Sequence, residues 1–506
     1  MADKRTIDIV IAGGGTAGWM AAALLSRFLE DAGRVTLVES KEIGTVGVGE
    51  ATIPQIHNFN AALGLNEREF LRATNGTFKL GIEFVDWLER GHSYMHGFGY
   101  VGRGSGLIPF RHLWQRGRRE GVAEEFGHYS FNEVAARAGR MERPSGRTGA
   151  IPDLVYAYHF DASLYAVYLR HYAERRGVRH VEGLIQSVER DGESGDIVAL
   201  ALDGERRIEG SLFIDCTGFR SLLLGQALGV GYRDWSRYLP CDRALAVPCE
   251  RSESFRPYTQ SLARPAGWQW RIPLQHRTGN GHVYCSEYMS DDEAAAMLLA
   301  NLDGEPQADP RPIRFTAGQR EQLWSHNCVA LGLAAGFMEP LESTSIHLVQ
   351  SSLARLIKLL PDDPAGPATR AAFNRMTATE WEQIRDFLVL HYRANQRVGE
   401  PFWDHCRNLP MSDLLAAKFA LFEESGGILR EEGELFTEEA WSQVMIGQGV
   451  EVGSFSPLAR TVDRDELAKY LATLAEGYRR KAATLPTHAQ FVAGVVSESA
   501  QLREKV

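Results

Sequence analysis

Three features of this 506-residue chain carry atoms that could do chemistry: a glycine-rich turn, a lone lysine and a late glutamate. The turn is Gly13-x-Gly15-x-x-Gly18, with Thr16 and Ala17 inside it. Such a turn offers backbone N–H groups and a helix N-terminus to a pyrophosphate. Its first glycine allows a tight turn, its second close approach, and its third tight helix packing. Glu39 follows at the spacing from which an acid accepts hydrogen bonds from an adenosine ribose. The turn alone does not separate FAD from NAD. Lys79 lies in a run that alternates, with Phe78, Leu80, Ile82 and Phe84 on one face and Lys79, Gly81 and Glu83 on the other. That period predicts one strand over 78–84, and a lysine on its open face is by itself an ordinary solvated charge. Glu342 precedes an amphipathic run. An acid there suits a helix N-terminus, with Ser343 or Thr344 as cap, and can also accept a proton. Trp268 and Trp270 have no acid–base chemistry and read as core on one face of a strand.

Elements must hold these groups in place. Residues 7–12 read as a buried strand, residues 19–25 as an alanine-rich helix and residues 35–38 as a second strand ending at Glu39, which together make a βαβ unit. A second glycine match, Gly97 to Gly102, has no apolar strand before it and is rejected as a nucleotide site. Residues 183–218 read as strands with a turn at Asp203-Gly204. They end in Asp215-Cys216-Thr217-Gly218, a strand end that recurs where FAD-dependent hydroxylases close their cofactor domain, and this favours FAD over NAD. Pro54 reads as the opening of a helix. Amphipathic runs at 346–360, 368–392 and 463–484 predict helices, and the proline-rich stretch 361–367 breaks them.

Composition narrows the classes. Hydrophobic content of 44% and aromatic content of 10% fit a globular protein. A net charge of -10 argues against general nucleic-acid binding. No apolar run approaches the ~20 residues that span a bilayer. Residues 1–5 read as leading into a strand and not as a signal peptide, and the six scattered cysteines show no metal-ligand spacing, so they read as reduced thiols of a cytoplasmic protein.

Taken together, Gly13–Gly18, the segment Gly47-Val48-Gly49-Glu50-Ala51-Thr52-Ile53-Pro54, Lys79, the segment Pro340-Leu341-Glu342-Ser343-Thr344 and Trp268-Gln269-Trp270-Arg271-Ile272-Pro273 resemble the flavin-dependent tryptophan halogenases, up to about residue 460. The resemblance implies roles. Gly49, Glu50 and Ala51 would lie along the flavin as a strap. Val188, Asp215, Gly218 and Leu333 would join Gly13, Gly15, Thr16, Ala17, Gly18 and Glu39 in binding FAD. Lys79 would receive hypohalous acid, either by a hydrogen bond or as a haloamine, which needs the neutral amine. Glu342 would polarise the oxidant and accept the ring proton. Backbone N–H groups at Thr344 and Ser345 would hold halide, although many relatives carry glycine where Ser345 stands. Trp268, Trp270, Ile272 and Pro273 would wall the flavin off from organic substrate. His96 and Phe98 resemble a loop that sandwiches the substrate ring. The pair of tyrosines that grips free tryptophan is absent near Trp441, so an indole lacking the amino-acid group, or a larger indole, fits better.

The expected fold is α/β: an FAD-binding Rossmann-like core of the flavin monooxygenase type, with a β-rich insertion and a helical C-terminal part. Its core spans 1–230 and returns at 311–360. A flavin-shielding region spans 231–310 and a helical substrate-covering region 361–506. The implied function is halogenation of an electron-rich aromatic with reduced FAD from a separate flavin reductase, O2 and chloride or bromide. A homodimer would be ordinary for such an enzyme. Two rivals predict otherwise. An FAD-dependent aromatic monooxygenase would let substrate reach the flavin, and a non-catalytic FAD-binding redox protein would not need Lys79.

Overall fold

A computed structural model describes residues 6–41, 49–146, 149–252, 255–360 and 366–497, which fall into two units. The first unit comprises Met1–Gly76, Phe160–Asp242 and Arg314–Glu382. Its centre is a six-stranded sheet in the order Trp324–Ser325, Cys328–Ala330, Leu212–Asp215, Ile7–Ala12, Gly33–Glu39, Arg179–Glu182. Only the first of these pairings is antiparallel. Parallel strands covered on both faces need continuous apolar runs, and Ile9 to Ala12 and Leu212 to Asp215 are all buried. Helix Thr16–Leu29 follows the first strand, and every residue from Trp19 to Leu25 is buried. It packs against helices Ala162–Glu174 and Ser345–Leu359. Strands Ile185–Arg190, Ile197–Leu202 and Arg207–Glu209 form a separate antiparallel sheet, with the expected turn at Asp203 and Gly204 between the last two.

The second unit comprises Thr77–His159, Arg243–Ile313 and Gln383–Val506. A seven-stranded sheet runs through it, with Arg243–Glu250, Arg277–Tyr284, Gly267–Pro273, Thr259–Arg264, Gly81–Val85 and Ser93–Gly97 as consecutive neighbours. A satellite core of Phe110, Leu113, Trp114, Phe126 and Tyr129 receives Leu467, Leu471 and Ala475 from helix Arg464–Ala483. The three predicted amphipathic runs are helices Ser345–Leu359, Pro367–Arg393 and Arg464–Ala483. A helix opens at Ile56, just after Pro54. Gly47, Val48 and residues 361–365 of the proline-rich stretch lie outside the described residues.

Two expectations are corrected. Residues 78–84 are not one strand. Thr77–Lys79 pairs antiparallel with Ala157–Asp161, whereas Gly81–Val85 belongs to the seven-stranded sheet. Leu80 is the bend: its N–H donates to Pro257 O (2.7 Å) and its carbonyl accepts from Phe98 N (2.9 Å). Both faces are covered, so Lys79 does not lie on an open face and is 0% exposed. The second glycine match does follow a strand, Ser93–Gly97, which also places His96 in a strand and not in a loop. It remains unlike a nucleotide turn, because no helix begins until Phe110 and the Gly97 amide pairs with the Gln443 side chain.

Candidate active site

In the first unit, strand Ile7–Ala12 delivers the chain to Gly13, whose φ of +106° only glycine adopts without strain. A side chain here would also collide with Cys216, its Cβ lying 2.3 Å from the carbonyl oxygen. Gly15 caps helix Thr16–Leu29 without any side-chain hydrogen bond, and a Cβ on it would meet open space. The helix N-terminus is thus an open cradle of amides. Glu39 ends the next strand, with its carboxylate folded over Gly14 and His180 Nε2 at 2.8 Å. A pyrophosphate at the amides and a ribose at the carboxylate fit these residues.

Asp215 organises the neighbouring turn. Its carboxylate accepts from the amides of Thr217 (3.0 Å), Leu223 (3.0 Å) and Leu224 (2.8 Å) and from the hydroxyls of Thr217 and Ser221. That fixes the chain through Gly218 without leaving the carboxylate pointed elsewhere. Gly332, beside Leu333, packs onto Ala17. Val188 lies in the small antiparallel sheet opposite Leu200. On the short strand Gly49–Ala51, burial pushes the Glu50 carboxyl up to about 7. Glu342 ends the turn Pro340–Glu342 and is 1% exposed. Ser343 then takes a left-handed φ of +59°, and helix Ser345–Leu359 starts with Thr344 at its cap position but no side-chain cap bond.

In the second unit, Lys79 Nζ lies 5.4 Å from the centre of the Phe98 ring, a cation–π distance. An ammonium is costly to bury, so a lysine in this place is a designed feature and not a stray surface charge. Trp268 and Trp270 share one face of their strand, with ring centroids 6.1 Å apart, and Trp87 lies 6.3 Å from Trp268. Gly281 on the neighbouring strand makes room for Trp270: a Cβ there would fall 2.0 Å from the indole. His96 borders an aromatic stack. Phe387 and Phe436 face each other at 3.7 Å, with His96 at 5.6 Å and Trp441 at 4.9 Å from Phe387. Trp441 is fully buried, and its indole N–H donates to Glu434 (3.0 Å). Two residues beyond Phe98, Tyr100 begins the lining of a cavity of about 500 Å³ that also includes Phe110, Arg111, Glu438 and Ser442.

The structure therefore gathers Gly13 to Gly18, Glu39, Asp215, Gly218 and Leu333 in one unit, and Lys79, His96 and Phe98 in the other. Sequence reasoning missed Phe387, Phe436, Glu434 and His159. Their partners are hundreds of residues away or on other elements, so no local spacing marks them. Among the described residues there is no group of three acids, histidines or cysteines able to hold a metal, and no helix long and apolar enough to cross a membrane. The six cysteines are free thiols.

Known proteins match this arrangement along nearly the whole chain. The family model described as tryptophan halogenase matches residues 8–464. The solved structure of Xcc4156, a flavin-dependent halogenase from Xanthomonas campestris, superposes with a TM-score of 0.94 at 46% identity, covering 97% of this chain and 99% of that one. BrvH, a flavin-dependent halogenase from Brevundimonas sp. BAL3, gives a TM-score of 0.94 at 43% identity, covering 97% and 100%. Among curated relatives, tryptophan 6-halogenase SttH from Streptomyces toxytricini is 34% identical over 527 residues, which is 98% of this chain and 99% of SttH.

Proposed function

The chain belongs to the tryptophan halogenase family and is an FAD-dependent halogenase, and from that premise we propose that it halogenates an indole lacking the amino-acid end, or a larger indole, through Lys79. When bound, FAD would supply the oxidising chemistry, drawing on O2 and on electrons from a separate reductase, that turns chloride or bromide into hypohalous acid. The amides at Gly13–Gly18 and the Glu39 carboxylate would hold its pyrophosphate and ribose. Backbone N–H groups at Thr344 and Ser345 hold the halide. Lys79 holds the hypohalous acid, a small and indiscriminate oxidant, beside one carbon of the ring. Trp268, Trp270, Ile272 and Pro273 keep organic substrate from the cofactor, and His96, Phe98 and Trp441 frame the ring. The halogen moves from oxygen to the ring carbon, and the ring proton passes by way of Glu342 to the hydroxide left behind, so ring C–H and hypohalous acid become ring C–X and water.

The observation that carries this reading is the complete burial of Lys79 against Phe98. In the same unit, a cavity of about 500 Å³ lined by Tyr100, Phe110, Arg111, Glu438 and Ser442 has room for a ligand larger than indole. No tyrosine stands between Phe436 and Val450, which supports the lack of a free amino-acid end. The test is mass spectrometry of indole and larger indoles incubated with enzyme, FAD, a flavin reductase with NADH, catalase, and bromide or chloride. A halogen isotope pattern is expected with wild type, and at least ~100-fold less product with Lys79→Ala that still binds FAD. Gain of a single oxygen would instead indicate the monooxygenase. Undiminished halogenation by Lys79→Ala would remove the lysine from the chemistry.

A further inference from the structure

Beside Lys79 runs a buried hydrogen-bond chain. Thr77 Oγ1 lies 2.7 Å from Pro273 O and 3.1 Å from His159 Nδ1, and His159 Nε2 lies 2.9 Å from Thr259 Oγ1. Thr77 and His159 are 0% exposed and Thr259 is 4% exposed. The donor of each bond follows from elimination. A carbonyl can only accept, so the single Thr77 hydroxyl hydrogen goes to Pro273. Thr77 can then offer His159 only a lone pair, so Nδ1 carries the ring hydrogen. Nε2 of the neutral ring is bare and accepts from the Thr259 hydroxyl. The ring is neutral: burial first, then the nearby Lys79 ammonium and His488, hold its proton affinity well below the ordinary histidine range.

The three anchors belong to three different strands. Thr77 stands two residues before Lys79 and therefore on the same face of that short strand. Pro273 ends the strand of the two tryptophans, and Thr259 begins its antiparallel neighbour. His159 itself is the cross-strand partner of Thr77. The lysine strand is only three residues long, too short to be held by its ladder alone.

We infer that His159 is a positioning residue for oxidant transfer: by holding Thr77, whose hydroxyl binds the tryptophan strand, to that strand's neighbour through Thr259, it keeps Lys79 where hypohalous acid is captured and not lost to solvent. This inference rests on the role proposed above for Lys79. It makes no use of acid–base chemistry at His159. What matters is a donor toward Thr77 and an acceptor toward Thr259, in a place with no room for a charge.

The test measures where the oxidant goes. Wild type and variants are run with FAD, reductase, NADH, bromide and catalase, on the aromatic that wild type halogenates. An excess of a 1,3-diketone is present to trap free hypobromous acid. The delivered fraction is halogenated aromatic divided by the sum of halogenated aromatic and brominated trap. His159→Leu should lower the delivered fraction by about threefold or more while total bromide oxidised and FAD binding stay within about twofold. His159→Gln, whose amide can donate to Thr77 and accept from Thr259, should keep more than half of the wild-type value. Thr259→Val, which removes one bond, should fall between them. A folded His159→Leu with the wild-type delivered fraction overturns the inference, as does His159→Gln behaving like His159→Leu. Should His159→Leu fail to fold, Thr259→Val decides: a drop supports the tie, and an unchanged fraction overturns it. Lys79→Ala runs in parallel. If it delivers oxidant as well as wild type, the lysine reading fails and takes this inference with it. If it fails to deliver while His159→Leu does not, only the inference fails.

Discussion

Trp441 shows what a single side chain demands of its surroundings. Its indole N–H needs an acceptor when buried, and Glu434 Oε1 provides one. A buried carboxylate in turn needs compensation. Glu434 receives Lys418 Nζ at 3.0 Å and the Glu431 amide at 2.9 Å, and Lys418 also lies 4.9 Å from the Trp441 ring. The ion pair is almost wholly enclosed, with side-chain exposures of 4% and 1%. Removing one member leaves the other charged and unpaired, which costs far more than a surface pair would. Glu434→Ala should destabilise the protein by about 3–5 kcal/mol in denaturant unfolding, and Glu434→Leu combined with Lys418→Met should recover most of that loss. A single-variant cost below about 1 kcal/mol would mean that water reaches the pair.

At the scale of the element, the tryptophan strand depends on a glycine in its neighbour. Gly281 pairs with Trp270 across the antiparallel ladder, and the indole lies over the space where a side chain would be. The obstacle is a rigid ring on one side and the Leu245 carbonyl, 2.6 Å from the same Cβ, on the other. Gly281→Ala should therefore force the Trp270 ring aside, at a cost of about 1–3 kcal/mol in stability and with a change in tryptophan fluorescence. Unchanged fluorescence and melting would show that the ring relocates freely. The lysine strand illustrates the opposite lesson. Alternation of Phe78 to Phe84 was legible in the sequence, but the bend at Leu80 was not. That bend is set by Pro257, Phe98 and Asn132, all remote along the chain.

At the scale of the molecule, buried histidines in one unit and a buried carboxyl in the other contribute to stability with opposite dependence on pH. In the second unit, burial lowers His282 and His488 to about 4. His488 donates Nδ1–H to Phe255 O and accepts the Phe78 amide on Nε2, so protonation would break the second bond. The unfolded chain binds protons on these rings below about 6.5 and the folded chain does not, so stability is lost as pH falls from about 6.5 toward 4. In the first unit, Glu50 stays protonated up to about 7 when folded. The folded state there binds the extra proton, so that contribution weakens as pH rises from about 4.5 to 7. Hydrogen exchange at pH 5 against pH 7 should show the second unit less protected at the lower pH. His488→Gln should reduce that loss, and Glu50→Gln should flatten the opposite trend in the first unit. Equal protection of the second unit at both pH values would contradict the buried neutral histidines.

Sequence alone determined the nucleotide turn, its βαβ frame and the family, because a pyrophosphate cradle needs glycines at fixed offsets and those offsets are local. It also marked Lys79, Glu342 and the tryptophan strand, each by a short motif. Tertiary structure alone decided that Lys79 is buried, that Leu80 breaks its strand, and that Asp215 is committed to its own turn. It alone brought His159 between Thr77 and Thr259, and Glu434 between Lys418 and Trp441. Those choices depend on which distant strand supplies a donor or an acceptor in a space without water. Burial makes such a partner obligatory, and no periodicity along the chain records where it comes from.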